Sequence, residues 1–438
     1  FFVFATSLLP PESQTQGVSS YVLLYVSYFR SRDFPMPSAL RFSDGSYTRH
    51  TDVLAILQRL HVSACVEITG YSNLGKSELL RLLAQPDVWQ KELGEAAKEF
   101  LPVYVDCNRM AEVTDQGIYE LILRCLQESD PALAANEELT IAYERLTTPS
   151  SEFQIPLNFS RGLSAAVESS RRKVVLLFDE FDEPFARVDS RVFLNLRAKK
   201  DRFDSALVYV TATVHPLSDT RSEDHCAEFC ELFLQNPWHL APLTAGDAAH
   251  FVRDAAENGG VEIEQSDVEF LYLWTGGHPG LLSGATQRLL DALAGKEAGV
   301  DHWQVQRHLV AQLQEDPLLA QELRKIWQNC TPGQKSGLLA LFGGAEADPV
   351  EISRLEEMHL LVRVDGKLRA FCRLFALYAQ AREESLQKRS APEKAGATAS
   401  GLWLDMESGE VLVDGQPVET LTKLEYQLMT LFFENAEK

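Results

Sequence analysis

Between an apolar run that ends at Thr69 and a helical pattern lies the stretch Gly70-Tyr71-Ser72-Asn73-Leu74-Gly75-Lys76-Ser77. It fits the pattern G-x-x-x-x-G-K-[ST], whose glycines let the backbone fold so tightly that its N–H groups point at phosphate oxygens. The helix that begins at Lys76 adds its positive N-terminal end. A surface glycine turn before a helix is the alternative, but the position after a β-forming run favours a phosphate loop.

The side chains of this loop have roles that follow from their chemistry. Lys76 is expected to neutralise charge on the β- and γ-phosphates, and the Ser77 hydroxyl is expected to bind Mg²⁺. The predicted cofactors are therefore ATP or ADP together with Mg²⁺. The loop residues predicted to contact the nucleotide are Gly70, Ser72, Asn73, Leu74, Gly75, Lys76, Ser77 and Glu78.

A second informative element is the run Val174–Asp179, which reads as a buried strand followed by Glu180. A parallel strand delivers its last residue to the carboxyl edge of the sheet, where ligands bind. Asp179 is predicted to hold Mg²⁺, directly or through water, and Glu180 to deprotonate the attacking water as the catalytic residue. Alternatively, Asp179 only ends the strand and Glu180 is solvated. Asp182 and Glu183 are predicted to have structural roles.

The run Ala206–Thr213 is predicted to lie beside the strand that leads into the phosphate loop. A polar residue at its end, Thr211 or Thr213, would then be placed to sense the γ-phosphate. An ordinary strand end is the alternative. No obvious arginine finger is present, and Arg197 and Arg202 are the candidates for that role.

The remaining pattern of the first half indicates an α/β fold. Near-continuous apolar runs alternate with helical patterns, which is typical of a parallel sheet covered by helices on both faces. We therefore predict a P-loop NTPase core. The runs predicted as strands are Ala64–Thr69, Leu101–Asp106, Val174–Asp179, Ala206–Thr213 and Trp238–Ala241.

The second half reads as helical from about residue 244, and one of its helices is predicted to run from Trp303 to Gln328. Two further helices and a hairpin with the turn Asp365-Gly366 have the signature of a winged helix. The predicted divisions are 1–40 (unassigned), 41–243 (ATPase core), 244–330 (helical lid), 331–382 (winged helix), 383–400 (flexible linker) and 401–438 (partial C-terminal β/α segment).

Composition limits the class of protein. The formal net charge of the 438 residues is −22, which argues against a general nucleic-acid-binding surface. Seven scattered cysteines without a C-x-x-C pair indicate reduced thiols in a cytoplasmic protein, with a zinc site at His225, Cys226 and Cys230 as an alternative. No apolar run is long enough to span a bilayer, so no membrane contact is expected. The absence of an initiator Met and the unfinished pattern at Lys438 suggest a fragment.

Taken together, these motifs resemble the STAND class of AAA+-related signalling ATPases over roughly residues 45–380. Tyr47-Thr48-Arg49-His50 looks like that family's nucleotide-entry motif, with Thr48 and His50 where the family has Gly and Glu. The resemblance implies that Arg49 contributes to nucleotide binding. Gly277-His278-Pro279 matches the family's G-x-P motif, which implies that Pro279 packs on the adenine. His278 is predicted either to reach phosphate or to cap a helix.

The tail from Leu402 to Asn435 resembles the first half of the OmpR/PhoB class of DNA-binding domains, through Gly409–Val418 and Leu421–Glu425. Residues 401–438 carry eight acidic residues against Lys423 and Lys438, a net charge of −6. Because phosphate neutralisation supplies most non-specific affinity for DNA, this segment should be repelled by DNA. DNA binding is expected only through a complete C-terminal domain and not through this chain.

These features favour one hypothesis over two others. The first is a nucleotide-gated signalling switch, plausible as a bacterial transcriptional regulator, that self-associates in the ATP state. The second is a non-hydrolysing scaffold that holds ADP as a structural cofactor and acts through protein partners. The third is a DNA-loading ATPase similar to replication initiators, which the acidic charge disfavours.

Overall fold

The computed structural model describes residues 47–221, 224–296, 300–390, 402–404, 411–413 and 416–417. The chain divides into two units of internal contacts, and the division follows Gln380. The segment 1–40 and the helix predicted near Thr422 lie outside the described residues.

Five strands form a parallel sheet with the predicted core topology. They are β1 (Val66–Thr69), β2 (Phe100–Asp106), β3 (Lys173–Asp179), β4 (Leu207–Thr213) and β5 (Pro237–His239). Their order across the sheet is β2-β3-β4-β1-β5, which places β4 beside β1 as predicted. Every residue of β1 and β4 is buried, and since side chains alternate between the faces, both faces of the sheet are covered. The α/β prediction is thus confirmed.

Helices cover this sheet, and α1 shows why they form. Val53, Leu57 and Leu60 recur at helical spacing and are fully buried, so one face of α1 packs on the core. The helices of this region are α1 (His50–His61), α2 (Lys76–Leu83), α3 (Pro86–Leu93), α4 (Asp115–Ser129), α5 (Pro131–Ala134), α6 (Glu137–Thr147), α7 (Gln154–Ser170), α8 (Asp182–Arg187), α9 (Ser190–Phe203), α10 (Leu217–Thr220) and α11 (Asp224–Cys230). Short 3₁₀ turns span 94–99, 107–109 and 204–206.

The chain then becomes helical, as predicted, and ends the first unit with a hairpin and a long helix. The hairpin strands pair antiparallel, with Leu361 opposite Ala370. The elements are α12 (Ala245–Gly259), α13 (Gln265–Thr275), α14 (Pro279–Ala294), α15 (His302–Glu315), α16 (Pro317–Asn329), α17 (Pro332–Gly343), α18 (Pro349–Glu357), β6 (Leu361–Val364), β7 (Lys367–Ala370) and α19 (Arg373–Ser390).

Two predictions about helix boundaries were wrong. The single helix expected from Trp303 to Gln328 is two helices, because Asp316 is extended before Pro317 and its side chain caps α16. The linker expected from 383 begins later, since α19 continues to Ser390. The sequence of that stretch contains Glu384 and Lys388, a spacing that favours helix.

Short antiparallel strands are described in the second unit. β8 (Leu402–Leu404) pairs with β9 (Val411–Val413), which pairs with β10 (Gln416–Pro417). The turns predicted at 408–409 and 414–415 lie outside the described residues. No helix in the described parts of the chain has the length and apolar character needed to cross a bilayer.

The start of α4 provides a test of close backbone packing. A Cβ on Gly117 would lie 2.1 Å from the carbonyl oxygen of Glu112, so Gly117→Ala should reduce the free energy of unfolding by about 1–3 kcal/mol. Gly246 also follows a threonine cap in the first turn of its helix, but a Cβ there would come no closer than 3.8 Å to Thr244. Gly246→Ala should therefore be neutral or slightly stabilising. Urea unfolding of both variants checks this, and equal midpoints for the two would contradict it.

Candidate functional site

The phosphate loop connects β1 to α2 in a strongly bent conformation. Asn73 has φ 60° and Gly75 has φ 90°, both in the left-handed region. Gly75 is the N-cap of α2 and, as a glycine, has no side chain that could accept a hydrogen bond from the first turn of that helix. The N–H groups of this turn are therefore available to an anion, which is the arrangement that phosphate requires.

Lys76 points back over the loop that precedes it. Its Nζ donates to the carbonyl oxygen of Gly70 at 2.6 Å and lies 3.4 Å from that of Tyr71. Burial lowers the pKa of Lys76, and the carboxylates of Asp182, Glu180 and Asp179 oppose that shift. The ammonium group is thus already held at the mouth of the loop among negative charges.

The predicted metal ligands lie together. The Ser77 Oγ donates to the Oδ1 of Asp179 at 3.1 Å. Octahedral Mg²⁺ with bonds of 2.0–2.1 Å places adjacent ligand oxygens roughly 2.9 Å apart, so these two oxygens fit one ion with little movement. Mg²⁺ held by Ser77 and Asp179 would supply positive charge next to the phosphates.

Asp179 has a second side-chain partner, Tyr104, which was not predicted from the sequence. The Tyr104 hydroxyl donates to its Oδ2 at 2.6 Å. Tyr104 lies on β2, two residues before Asp106, and Asp106 is in register with Asp179 on β3. The sequence did contain a signal for this contact, because Tyr104 is a polar residue near the carboxyl end of a predicted strand.

Glu180 follows Asp179 in an unusual conformation. Its φ is 52°, which is rare for a residue with a side chain and typical of functional sites. Its side chain is exposed, and its backbone N–H donates to the Oδ1 of Asp179 at 3.1 Å. Desolvation and the charge of Asp179 raise the pKa of Glu180, while Lys76 lowers it. The roles of Glu180 as a base and of Asp179 as a metal ligand stay predictions.

The threonines of β4 are placed differently from each other. Thr211 is fully buried, and within the described part of the chain its Oγ1 has no hydrogen-bond partner. The Thr213 hydroxyl donates to the carbonyl oxygen of His215 at 2.8 Å. Asp182 accepts a hydrogen bond from the backbone N–H of Val214, which is a structural contact. A phosphate-sensing role for Thr211 stays a prediction.

Arg49 is used by the protein itself. It is 2% exposed, and its terminal nitrogens donate to the carbonyl oxygens of Leu74 at 2.6 Å and Ala241 at 2.8 Å. It also pairs with Asp52 at 3.1 Å, and its Nε has no hydrogen-bond partner among the described residues. Arg49 therefore stabilises the phosphate loop through its carbonyl oxygens. Of the guanidinium nitrogens, the described contacts leave Nε for a ligand.

His278 links the helical region to the loop. Its Nδ1 accepts the N–H of Leu281 at 3.1 Å, so its Nε2 carries the proton that is donated to the carbonyl oxygen of Ser72 at 3.0 Å. The expected capping role is present, but direct contact with phosphate is not available because both ring nitrogens are bonded within the protein. Burial lowers the pKa of His278 to about 4.

Pro279, which the G-x-P resemblance implied would pack on the adenine, lies near the loop. Its Cγ is 3.9 Å from the position that a Cβ on Gly75 would take. The chain reaches this point through Gly277, whose φ is 76°, and a Cβ there would lie 2.2 Å from the carbonyl oxygen of Leu243. Contact between Pro279 and an adenine stays a prediction.

Two polar residues of α16 also contact the loop and were not predicted. The Asn329 Oδ1 accepts the N–H of Ser72 at 2.7 Å, and the Glu322 carboxylate accepts from the side-chain amide of Asn73. No local sequence signal marks either residue, because the contacts join positions about 250 residues apart.

Aromatic rings extend this contact toward the hairpin. Tyr71 is fully buried and stacks on His278, with centroids 5.6 Å apart and planes at 6°. Phe371, which follows β7, lies 5.8 Å from the Tyr71 ring. His359 donates from Nε2 to the carbonyl oxygen of His239 at 3.3 Å. The loop and β5 are therefore contacted by both the helices and the hairpin region.

Comparison with known proteins gives likenesses in fold. No protein-family model and no curated protein matches the sequence. Similar solved structures include a Walker-type ATPase of Pyrococcus abyssi (15% identity, TM-score 0.49, covering 79% of this chain and 99% of that one). Others are the Aeropyrum pernix ORC2 protein in ADPNP–ADP complexes (14%, 0.48, 78% and 95%) and the Thermotoga maritima Holliday junction branch migration motor RuvB (19%, 0.39, 77% and 96%).

The buried, neutral His278 predicts a specific loss of stability in acid. Its pKa is about 4 in the folded protein and about 6.5 when unfolded, so the unfolded chain binds more protons between these values. The contribution of His278 to the free energy of unfolding is complete above pH 6.5 and is lost as the pH falls toward 4. The total loss is about 3 kcal/mol.

His278→Asn keeps a side chain that can cap α14 but removes this titration. Denaturant unfolding at pH 7 and at pH 4 should show a smaller acid-induced loss for this variant than for wild type. His308→Asn, at an exposed histidine of α15, is the control and should behave like wild type. Equal losses for wild type and His278→Asn would contradict the assignment.

Proposed function

We propose that this chain is a nucleotide-gated signalling ATPase of the STAND type, in which ATP or ADP bound at the phosphate loop controls how the helical region packs. The observation that carries the proposal is the double attachment of Ser72. Its carbonyl is bonded to His278 of the helical region, and its N–H is bonded to Asn329 of α16. Nucleotide phosphates and the helical region would therefore act on the same short loop.

Hydrolysis in this proposal uses a cation, a pair of metal ligands and a base, all at one edge of the sheet. Lys76 neutralises the β- and γ-phosphate oxygens, and Ser77 with Asp179 holds Mg²⁺. Glu180 accepts the proton of the water that attacks the γ-phosphorus, as the bond to the ADP oxygen breaks. The short distance between Ser77 and Asp179 and the raised pKa of Glu180 support this division of roles.

The switch in this proposal extends through the hairpin region. We assign α17, α18, β6–β7 and the start of α19 to a winged-helix module that packs on the loop in one nucleotide state. The ring contact between Tyr71 and Phe371 supports this assignment. Nucleotide exchange would change this packing and promote self-association. A complete C-terminal domain of the OmpR/PhoB class would then serve as the DNA-binding output of a transcriptional regulator.

A scaffold that holds ADP without hydrolysis is the second candidate. Many proteins of the STAND class carry an arginine at the end of the fourth strand. Here β4 ends at Thr213, whose hydroxyl is bonded to the backbone of His215. This substitution favours slow hydrolysis or none. Turnover by the purified protein separates the two candidates.

Removal of the loop cation should weaken nucleotide binding. Lys76→Ala is expected to raise the Kd for ATP and ADP at least tenfold, about 1.4 kcal/mol, because no other side chain of the loop is positive. Lys98→Ala removes an exposed lysine that pairs with Glu95 and should leave the Kd unchanged. Isothermal titration calorimetry measures both, and an unchanged Kd in folded Lys76→Ala would refute the nucleotide site.

Removal of the proposed base should slow hydrolysis without loss of ATP. Glu180→Gln is expected to reduce turnover roughly 10²-fold, the lower range for loss of a general base. Glu183→Gln, in the adjacent helix where Glu183 pairs with exposed Arg187, is the matched control and should retain turnover. Phosphate release assays and ATP binding are measured together. A wild-type rate in Glu180→Gln would assign the base to another residue, with Asp182 next to be tested.

A further inference from the structure

The contact between Tyr104 and Asp179 connects the edge strand of the sheet to the metal site. Tyr104 is opposite Leu177 in the parallel pairing of β2 and β3. Leu177 and Asp179 are two residues apart on one strand, so their side chains lie on the same face. The tyrosine hydroxyl reaches diagonally across this face to the Oδ2 of Asp179, at 2.6 Å.

This hydroxyl completes the set of donors around a buried carboxylate. Asp179 is 1% exposed. Its Oδ1 accepts from the Ser77 hydroxyl and from the N–H of Glu180, each at 3.1 Å. Its Oδ2 accepts from Tyr104. Because a buried carboxylate oxygen without a donor is costly, loss of the Tyr104 hydroxyl would favour rotation of the carboxylate away from its present orientation.

The tyrosine is itself held in place from outside. The guanidinium of Arg81 lies 5.7 Å from the centroid of its ring, and Arg81 is on α2, the helix that begins with Lys76. Tyr104 also helps to line a cavity of about 510 Å³ beside β2.

We propose that Tyr104 is a positioning residue for the Mg²⁺ site. Its hydroxyl fixes the Asp179 carboxylate so that Oδ1 of Asp179 faces the Oγ of Ser77. The inference rests on the proposed function, because it requires a nucleotide site that uses Mg²⁺. Partners that orient a metal ligand contribute to metal affinity although they do not touch the metal. Tyr104 therefore acts on the metal only through Asp179, and not on the nucleotide.

The test separates binding that depends on Mg²⁺ from binding that does not. A fluorescent ATP analogue is titrated against wild type and Tyr104→Phe at increasing Mg²⁺, with an EDTA baseline. Tyr104→Phe keeps the ring and its contact with Arg81 but removes the hydroxyl. The Mg²⁺ concentration for half-maximal enhancement should rise roughly tenfold, the lower end for loss of such a partner. The affinity in EDTA should not change.

Tyr143→Phe is the matched control, because the Tyr143 hydroxyl also donates to a carboxylate, Glu120, at 2.7 Å. That pair joins α6 to α4, and its loss should leave both quantities unchanged. A double-mutant cycle with Asp179→Asn tests the route of the effect. In the Asp179→Asn background, Tyr104→Phe should produce no further shift in the Mg²⁺ midpoint.

The outcomes distinguish this inference from the proposed function. Mg²⁺-dependent binding in wild type, with the same midpoint in Tyr104→Phe, would overturn the positioning role alone. An equal shift in the Asp179→Asn background, or in Tyr143→Phe, would also overturn it. Wild type that binds the analogue without regard to Mg²⁺ would overturn the proposed metal-dependent function and this inference with it.

Discussion

The phosphate loop depends on hydrogen bonds that its carbonyl oxygens accept from side chains elsewhere in the chain. A run of left-handed and bent residues exposes consecutive carbonyls that need donors. Lys76, His278 and Arg49 supply these donors, and they come from three separate parts of the chain. The carbonyls they satisfy are those of Gly70, Tyr71, Ser72 and Leu74. The anion-binding shape is therefore a property of the tertiary structure and not of the loop alone.

Negative charge is concentrated at the same edge of the sheet. Asp106 and Asp179 are in register on adjacent strands, and Glu180 and Asp182 follow at once. Lys76 is the cation that acts on three of these carboxylates. Desolvation raises the pKa of Glu180 and that of Asp182, and the charge of Asp179 raises the pKa of Glu180 further. Under the proposed function, a divalent cation between Asp179 and the phosphates would offset this concentration of negative charge.

Local patterns were sufficient to predict the sheet, the loop and the acidic strand end. The glycines and Lys76 identify the phosphate loop within eight residues. The run before Asp179 is apolar enough to require burial. The hydrogen-bond partners of Arg49 and the contact of Tyr104 with Asp179 could not be predicted from local patterns. They depend on which backbone atoms the fold brings close and on the register of β2 against β3. The helix break at Pro317 is different, because Asp316-Pro317 was visible and is a known signal for a helix start.

The strength of the contacts around Ser72 limits the kind of switch that this fold can form. The two hydrogen bonds to Ser72 are partly buried, and each contributes about 0.5–1.5 kcal/mol. A change from 1:99 to 99:1 between two states requires about 5.5 kcal/mol, so these two bonds alone are not sufficient. In the proposed switch, the apolar contacts of Tyr71 with His278 and Phe371 would have to contribute the rest. A ligand that moves only the polar atoms of the loop would therefore shift the population partially, and full release also requires separation of the aromatic rings.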